Sequence, residues 1–422
     1  MKLDEQAYLL SKAKNPNDIV NSWDVSTSEE YNSKAIISLE NYKNDFLPKE
    51  FIKKVYSEDN DFLPYFQSQD LYFIDNKILK SMLTTNNDIK IPIDYSVMFD
   101  TQYASYVHNF INEDMNKLNN EVFTSIELLL RENFQYDYRF YLIENSKQID
   151  LDTEFNIDHF KETQKGIYTN IISLELFMSI DGELFKKDGK IKHTISYDEA
   201  STNAERTIKT LFGSEQGRRY LKDITFMQKQ MTLFLIGVFK INFFSKKNAQ
   251  KKILELFDFM NDKVGAYLDR ESMVAYKYFK EQGKFRIFNK IQKHRDNSDL
   301  LEIINNISWD FMAPRIMELF MRFGNKGEFF IPFLLTHDIG LKDVIKLFNI
   351  KGVLIGDSYG AIPIPSINNV EYFESEKCKI DFDFYFSKEN KSNRIKIIEK
   401  NKKEINQIIT EEYNLLIDIL SK

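Results

Sequence analysis

FFIPFLLTHDIGLKDVIKLF, residues 329–348, begins with an almost unbroken apolar run and changes character at Thr336. A short run rich in aromatic and branched side chains predicts a buried strand from Phe329 to Thr336. Asp338 and Gly340 follow, and from Leu341 to Phe348 apolar residues recur at helical spacing, so the segment reads as strand, acid, helix. Further on, Gly352 to Ile355 predicts a third strand, at a spacing suited to a parallel strand–helix–strand unit.

IPIDYSVMFD, residues 91–100, repeats the first half of that pattern: an apolar, β-branched run bounded by Pro92 and ended by Asp100. Asn112 to Glu144 predicts a long amphipathic helix, with Val122, Ile126, Leu129 and Leu130 on its apolar side and Glu127 and Arg131 paired on the outer face. Two independent strands thus end in an aspartate. In open α/β sheets ligands gather beyond the carboxyl ends of the strands, so acids placed there converge. Either aspartate is also well suited to capping a following helix, by accepting its free N–H groups.

The apolar and aromatic content is ample for a large core or several smaller ones, and scarce Gly and Pro favour helices over flexible linkers. A net charge of -7 argues against coating nucleic acid non-specifically, because such binding depends on neutralising phosphates, but leaves room for a local basic patch. The single cysteine, Cys378, excludes an intrachain disulfide and a cysteine-based zinc site, and a reducing cytoplasm is the expected compartment. MKLDEQAYLL at the start lacks the pattern of a secretory signal. MTLFLIGVF, residues 231–239, is too short to span a membrane and predicts a buried helix, so no membrane partner is expected.

From about 150 to 260 the pattern is helical in the stripes 167–185, 200–212, 220–243 and 249–264. GSEQGRR, residues 213–219, lacks the GxxxxGK[ST] phosphate loop and reads as a turn. The five histidines show no HExxH spacing, and His337 reads as a bystander. Tyr372 to Phe386 alternates in part like an edge hairpin, as in KIDFDFYF (379–386), and 388–422 predicts a charged helix. NDFLP occurs twice, at 44–48 and 60–64, as coincidence or as a repeated helix start.

In separated pieces the chain resembles the PIN-like nuclease superfamily. VMFDTQYASYV (97–107) looks like that family's opening strand, acid and helix, and residues 329–348 look like its closing strand with Thr, a variable residue and Asp. SWDFMAPRIMELF (308–320) resembles the segment in which an acid at a helix start precedes the closing strand, and DRESMVAYKYFKE (269–281) is the candidate for the helix bearing the second acid, with Glu175 in ISLELF (172–177) its rival.

The resemblance implies an α/β fold with a PIN-like core and parallel sheet, built from 91–145 and 265–365. A helical insertion (146–264), an N-terminal accessory region (1–90) and a C-terminal hairpin and helix (366–422) would complete it. It further implies that Asp100, Glu271, Asp310 and Asp338 are the catalytic, metal-holding acids of a Mg²⁺- or Mn²⁺-dependent endonuclease acting on RNA before DNA, such as a toxin or phage-defence effector controlled by an inhibitory or activating protein partner. KFRIFNKIQKHR (284–295) mixes cationic and aromatic residues, so Lys284, Arg286, Lys290, Lys293 and Arg295 are candidates for guiding RNA, or for a merely solvated face. The opposing expectation is a non-catalytic interaction module whose acids are caps.

Overall fold

In a computed structural model, residues 2–39, 47–57, 60–84, 90–114, 117–132, 134–281, 283, 285–289, 291, 299–322 and 327–421 are described. The protein is a helix-rich, mixed α/β chain that divides into two compact units. The first comprises 1–222, 314–338 and 349–366, and the second 223–313, 339–348 and 367–422. Among the described residues no helix is long and apolar enough to cross a membrane.

Both sheets lie in the first unit. One has the order β2-β6-β4-β5, with β2 at Phe62–Pro64, β4 at Ile93–Phe99, β5 at Tyr136–Asp137 and β6 at Phe329–Leu335. The two strands expected from sequence are therefore neighbours, pairing in parallel from Ile93 opposite Phe329 to Phe99 opposite Leu335. All seven residues of β6 are buried, which explains its apolar run without alternation. Pro332 cannot donate to a ladder; β2 pairs antiparallel with β6 over Phe333 to Leu335 and so stops one residue short of it. Aromatic rings fill one face: Phe51 lies 4.8 Å from Phe333, 5.1 Å from Tyr95 and 4.6 Å from Phe134, centroid to centroid.

The second sheet, of order β3-β1-β7-β8, contains β1 at Lys34–Ser38, β3 at Leu71–Asp75, β7 at Ile350–Gly356 and β8 at Gly360–Pro365. Every pairing in it is antiparallel. Ile37, Ile74 and Leu354 from this sheet pack with Leu10, Ile19 and Trp23 of the N-terminal helices in one apolar core. The expected third strand therefore exists, but it does not extend the parallel pair. Its partners are β1 and β8, supplied by tertiary pairing that the local spacing does not encode.

Three further local expectations are corrected. The helix expected from Asn112 to Glu144 is broken, because Asn119 caps a separate helix, Asn120–Arg131, and Tyr136–Asp137 then leaves to pair with β4. The hairpin expected from Tyr372 to Phe386 is helical instead: it begins within the helix Asn369–Ser375 and ends in a short helix, Phe382–Tyr385, capped by Asp381. Its rings cluster with Phe257, at 5.9 Å from Phe382 and 5.1 Å from Tyr385, so the apparent alternation is a helical aromatic face. The second NDFLP carries β2 rather than a helix start, and the first lies partly outside the described residues.

The second unit is helical. Met231–Phe239 is buried throughout within the helix Glu215–Phe244, as its composition requires. GSEQGRR, expected as a turn, runs into that helix at Glu215. In the C-terminal helix Lys388–Leu420 a buried stripe recurs at Asn401, Ile405, Ile409, Glu412, Leu416 and Leu420, which is the three-to-four spacing of a helix packed on one side.

Gly352 holds β7 against β1: a Cβ there would sit 2.7 Å from the Ile36 carbonyl oxygen and 2.6 Å from Ile37 Cδ1. Gly352→Ala is expected to destabilise the first unit by about 1–3 kcal/mol, since backbone cannot yield as a flexible side chain does. Gly166→Ala, with nothing within 4 Å of the new methyl, should be neutral or stabilising by up to about 1 kcal/mol. Thermal denaturation of the two variants checks this contrast.

Candidate functional site

The parallel register carries Asp100 and Thr336 to the same level, one residue beyond the paired ends of β4 and β6. β2 brings in a third residue: the Thr336 N–H donates to the Asp61 carbonyl at 3.0 Å, extending its ladder by one step. Asp61, Thr336 and Asp100 thus form a row across three strand ends. All three are buried, at 5%, 0% and 7% exposure.

Asp100 does two jobs there. Its carboxylate caps the helix Thr101–Ile111, accepting the Tyr103 N–H at 2.6 Å, and also accepts the Thr336 hydroxyl. The same Thr336 oxygen accepts the Asp338 N–H at 3.0 Å, linking the two expected acids through one hydroxyl. Beside them, Glu144 at the end of the helix Arg139–Asn145 accepts both the N–H and the hydroxyl of Thr101, at 3.2 and 2.6 Å. Asn145 completes this corner by donating to the Thr101 oxygen at 2.8 Å.

Burial dominates the electrostatics. It pushes the Asp100 carboxyl up to about 7, with the charges of Glu144 and Asp338 adding to the rise and the Thr336 and Tyr103 hydrogen bonds opposing it. A carboxyl in that range can trade a proton near neutrality. Asp61 has its oxygens divided between two partners: the Tyr103 hydroxyl donates to one, and His337 Nδ1 lies 3.1 Å from the other. His337, expected as a bystander, therefore belongs to the network. Burial, and then Asp61, keeps the Tyr103 hydroxyl protonated well above the ordinary tyrosine range.

Of the four acids expected from sequence, the first unit contains Asp100 and Asp338, and the second contains Glu271 and Asp310. Glu271 is 1% exposed on the helix Asp269–Lys280. Asp310 does not stand at a helix start: it lies inside the helix Leu300–Phe320, whose interior also accommodates Pro314. Ser308, two residues before Asp310, is inside the same helix and turns its hydroxyl back to the Asn305 carbonyl at 2.7 Å. Glu175, the rival second acid, accepts a hydrogen bond from the Tyr138 hydroxyl.

Among the residues expected to guide RNA, Arg286 forks both nitrogens onto the Asp343 carboxylate, while Lys284, Lys290, Lys293 and Arg295 lie outside the described residues. Asp61 and Glu144 were not among the residues expected from sequence. Asp61 immediately precedes a three-residue strand whose partner is remote in the chain, and Glu144 lay within what read as one continuous helix.

A cation would relieve the crowding of like charge around Asp100, and Asp100, Glu144 and Asp338 are hard oxygen donors of the kind Mg²⁺ takes. Yet among the described residues no group of three or more His, Cys, Asp and Glu side chains is arranged to hold a metal ion. Comparison of the chain with protein-family models, with curated proteins and with solved structures finds no match.

Between 3.8, where an unfolded Asp100 releases its proton, and about 7, where the folded one does, the folded state binds the extra proton. The stability this group contributes is therefore complete below that window and declines as pH rises through it, by about 1.4 kcal/mol per unit. Asp100→Asn keeps a cap acceptor and removes the titration, so its stability relative to wild type should improve from pH 5 to pH 8. Parallel urea melts at the two pH values check this, and a constant difference would show that Asp100 titrates normally.

Proposed function

We propose that this protein is a metal-dependent nuclease of the PIN-like kind, cleaving phosphodiester bonds in RNA before DNA. The observation that carries the reading is Asp100 buried at the end of one of two adjacent parallel strands, where burial first, and then the charges of Glu144 and Asp338, raise its carboxyl to a proton affinity near neutral. Parallel strand ends are where open α/β sheets bind ligands. The reading takes Asp100 and Asp338 as the acids that hold Mg²⁺ or Mn²⁺. Glu144 stands beside them, and Glu271 and Asp310 remain candidates from sequence.

Bound there, such an ion would supply an activated water and neutralise charge on the phosphate oxygens. The chain's own part is defined by its hydrogen bonds. The Tyr103 N–H and the Thr336 hydroxyl fix the Asp100 carboxylate, and the Thr101 N–H and hydroxyl fix Glu144 close by, with Asn145 donating in turn to the Thr101 oxygen. Asp61 holds His337 beside this row.

The non-catalytic reading has its own observation: Asp100 is already engaged as a helix cap, and no acid trio is arranged for metal among the described residues. One set of measurements separates the two. Purified protein is expected to cut labelled single-stranded RNA with Mn²⁺ and not with chelator, and Asp100→Asn and Asp338→Asn should each lower the rate by about a hundredfold or more. Mn²⁺ should also raise the melting temperature of wild type and not of the two variants. Cleavage that survives in both variants, or no cleavage and no Mn²⁺ stabilisation in wild type, would leave the acids as caps.

A further inference from the structure

At one end of the antiparallel sheet, the start of β1 and the ends of β3 and β7 line an open cavity of about 450 Å³, within the size range of small-molecule sites. Its walls carry charges of both signs. Lys34, Lys77 and Arg322 supply the cations, and Glu29, Asp75, Glu328 and Asp357 the carboxylates.

Several of these groups are held in place. Lys34 Nζ donates to the Glu328 carbonyl at 2.5 Å and lies 5.5 Å from the centre of the Phe329 ring. Burial holds the Lys34 ammonium below the ordinary lysine range, against the pull of Asp75, Asp357 and Glu328. The Asp357 carboxylate accepts the Asn32 amide at 2.9 Å, and Arg322 donates to the Asp357 carbonyl at 3.1 Å. Asp75 is steadied by the Ile78 N–H at 2.7 Å.

The balance of charge selects the ligand. An inorganic anion entering the cavity meets four carboxylates, and a polyamine meets three cations, so either suffers repulsion along with attraction. A small molecule that carries an ammonium and a carboxylate on one carbon satisfies both sets at once.

We propose that this cavity binds a free α-amino acid, its carboxylate directed to Lys34 and Arg322 and its ammonium to Asp75 and Asp357. An ammonium has three donors, of which the Glu328 carbonyl takes one from Lys34. The cavity belongs to the first unit and is lined by strand ends of the antiparallel sheet and by Glu328, before the start of β6 and so at the opposite end of that strand from Thr336; the inference therefore does not rest on the nuclease reading.

Isothermal titration calorimetry of the full chain against each standard amino acid, inorganic phosphate and spermidine tests it. One amino acid, or a chemically related group, is expected to saturate a single site. Its analogue lacking the ammonium and its analogue lacking the carboxylate should each bind about tenfold more weakly or worse. Arg322→Gln and Asp357→Asn should weaken binding to a similar degree. Lys77→Gln, at a side chain 83% exposed, provides a variant that leaves the fold untouched and should weaken it about twofold or more. The inference is overturned if no amino acid binds, if phosphate or spermidine binds as tightly, or if the analogues and all three variants leave the affinity unchanged.

Discussion

The parallel register between β4 and β6 sets what the first unit can be. It joins segments more than two hundred residues apart and assigns each side chain to a face. On one face Tyr95, Val97 and Phe99 lie level with Ile331, Phe333 and Leu335; on the other, Met98 and Leu334 lead to Asp100 and Thr336 at the rim. A slip of one residue would turn every one of these side chains over, driving Asp100 into the aromatic cluster around Phe51 and bringing Phe99 to the polar rim. Because β2 joins the same ladder, Asp61 is fixed by the same register.

That constraint produces a conflict at Asp100. As a helix cap the residue favours folding, and as a carboxyl crowded by Glu144 and Asp338 in a buried setting it opposes folding once ionised. Neutral asparagine would cap as well without the cost of burying charge. Sites at which a local choice disagrees with stability in this way are where function is most often found. The buried polar groups of the second unit behave differently. Glu412 is flanked by Lys240 and Lys263, and Gln228, Thr232 and Ser308 hydrogen-bond among themselves, an arrangement that joins helices without a comparable excess of like charge.

The residues that local chemistry governs were legible in the sequence. β6 follows from an apolar run too dense for a half-exposed segment, β4 from its short apolar and branched run, the Met231–Phe239 helix from its composition, the Glu127–Arg131 pair, at 2.7 Å, from its spacing, and the C-terminal helix from its period. Local signals failed where a competing partner intervened. Asn119 as a cap and β4 as a strand partner broke the helix expected across 112–144, and contacts with Phe257 turned an apparent hairpin into a helical turn. Asp310 was misplaced because the helix that holds it already begins at Leu300, well ahead of the start expected next to the acid.

The sequence by itself determined that two buried strands end in Asp100 and in the Thr336–Asp338 turn, because hydrophobic density and capping chemistry act between near neighbours. Tertiary structure decided that those strands are adjacent and parallel, that the strand after them joins a separate antiparallel sheet, and that Asp61, Glu144 and His337 stand beside Asp100. Pairing between strands depends on shape and register across distant segments, and a carboxyl's proton affinity depends on the desolvation and charge that such pairing brings to it.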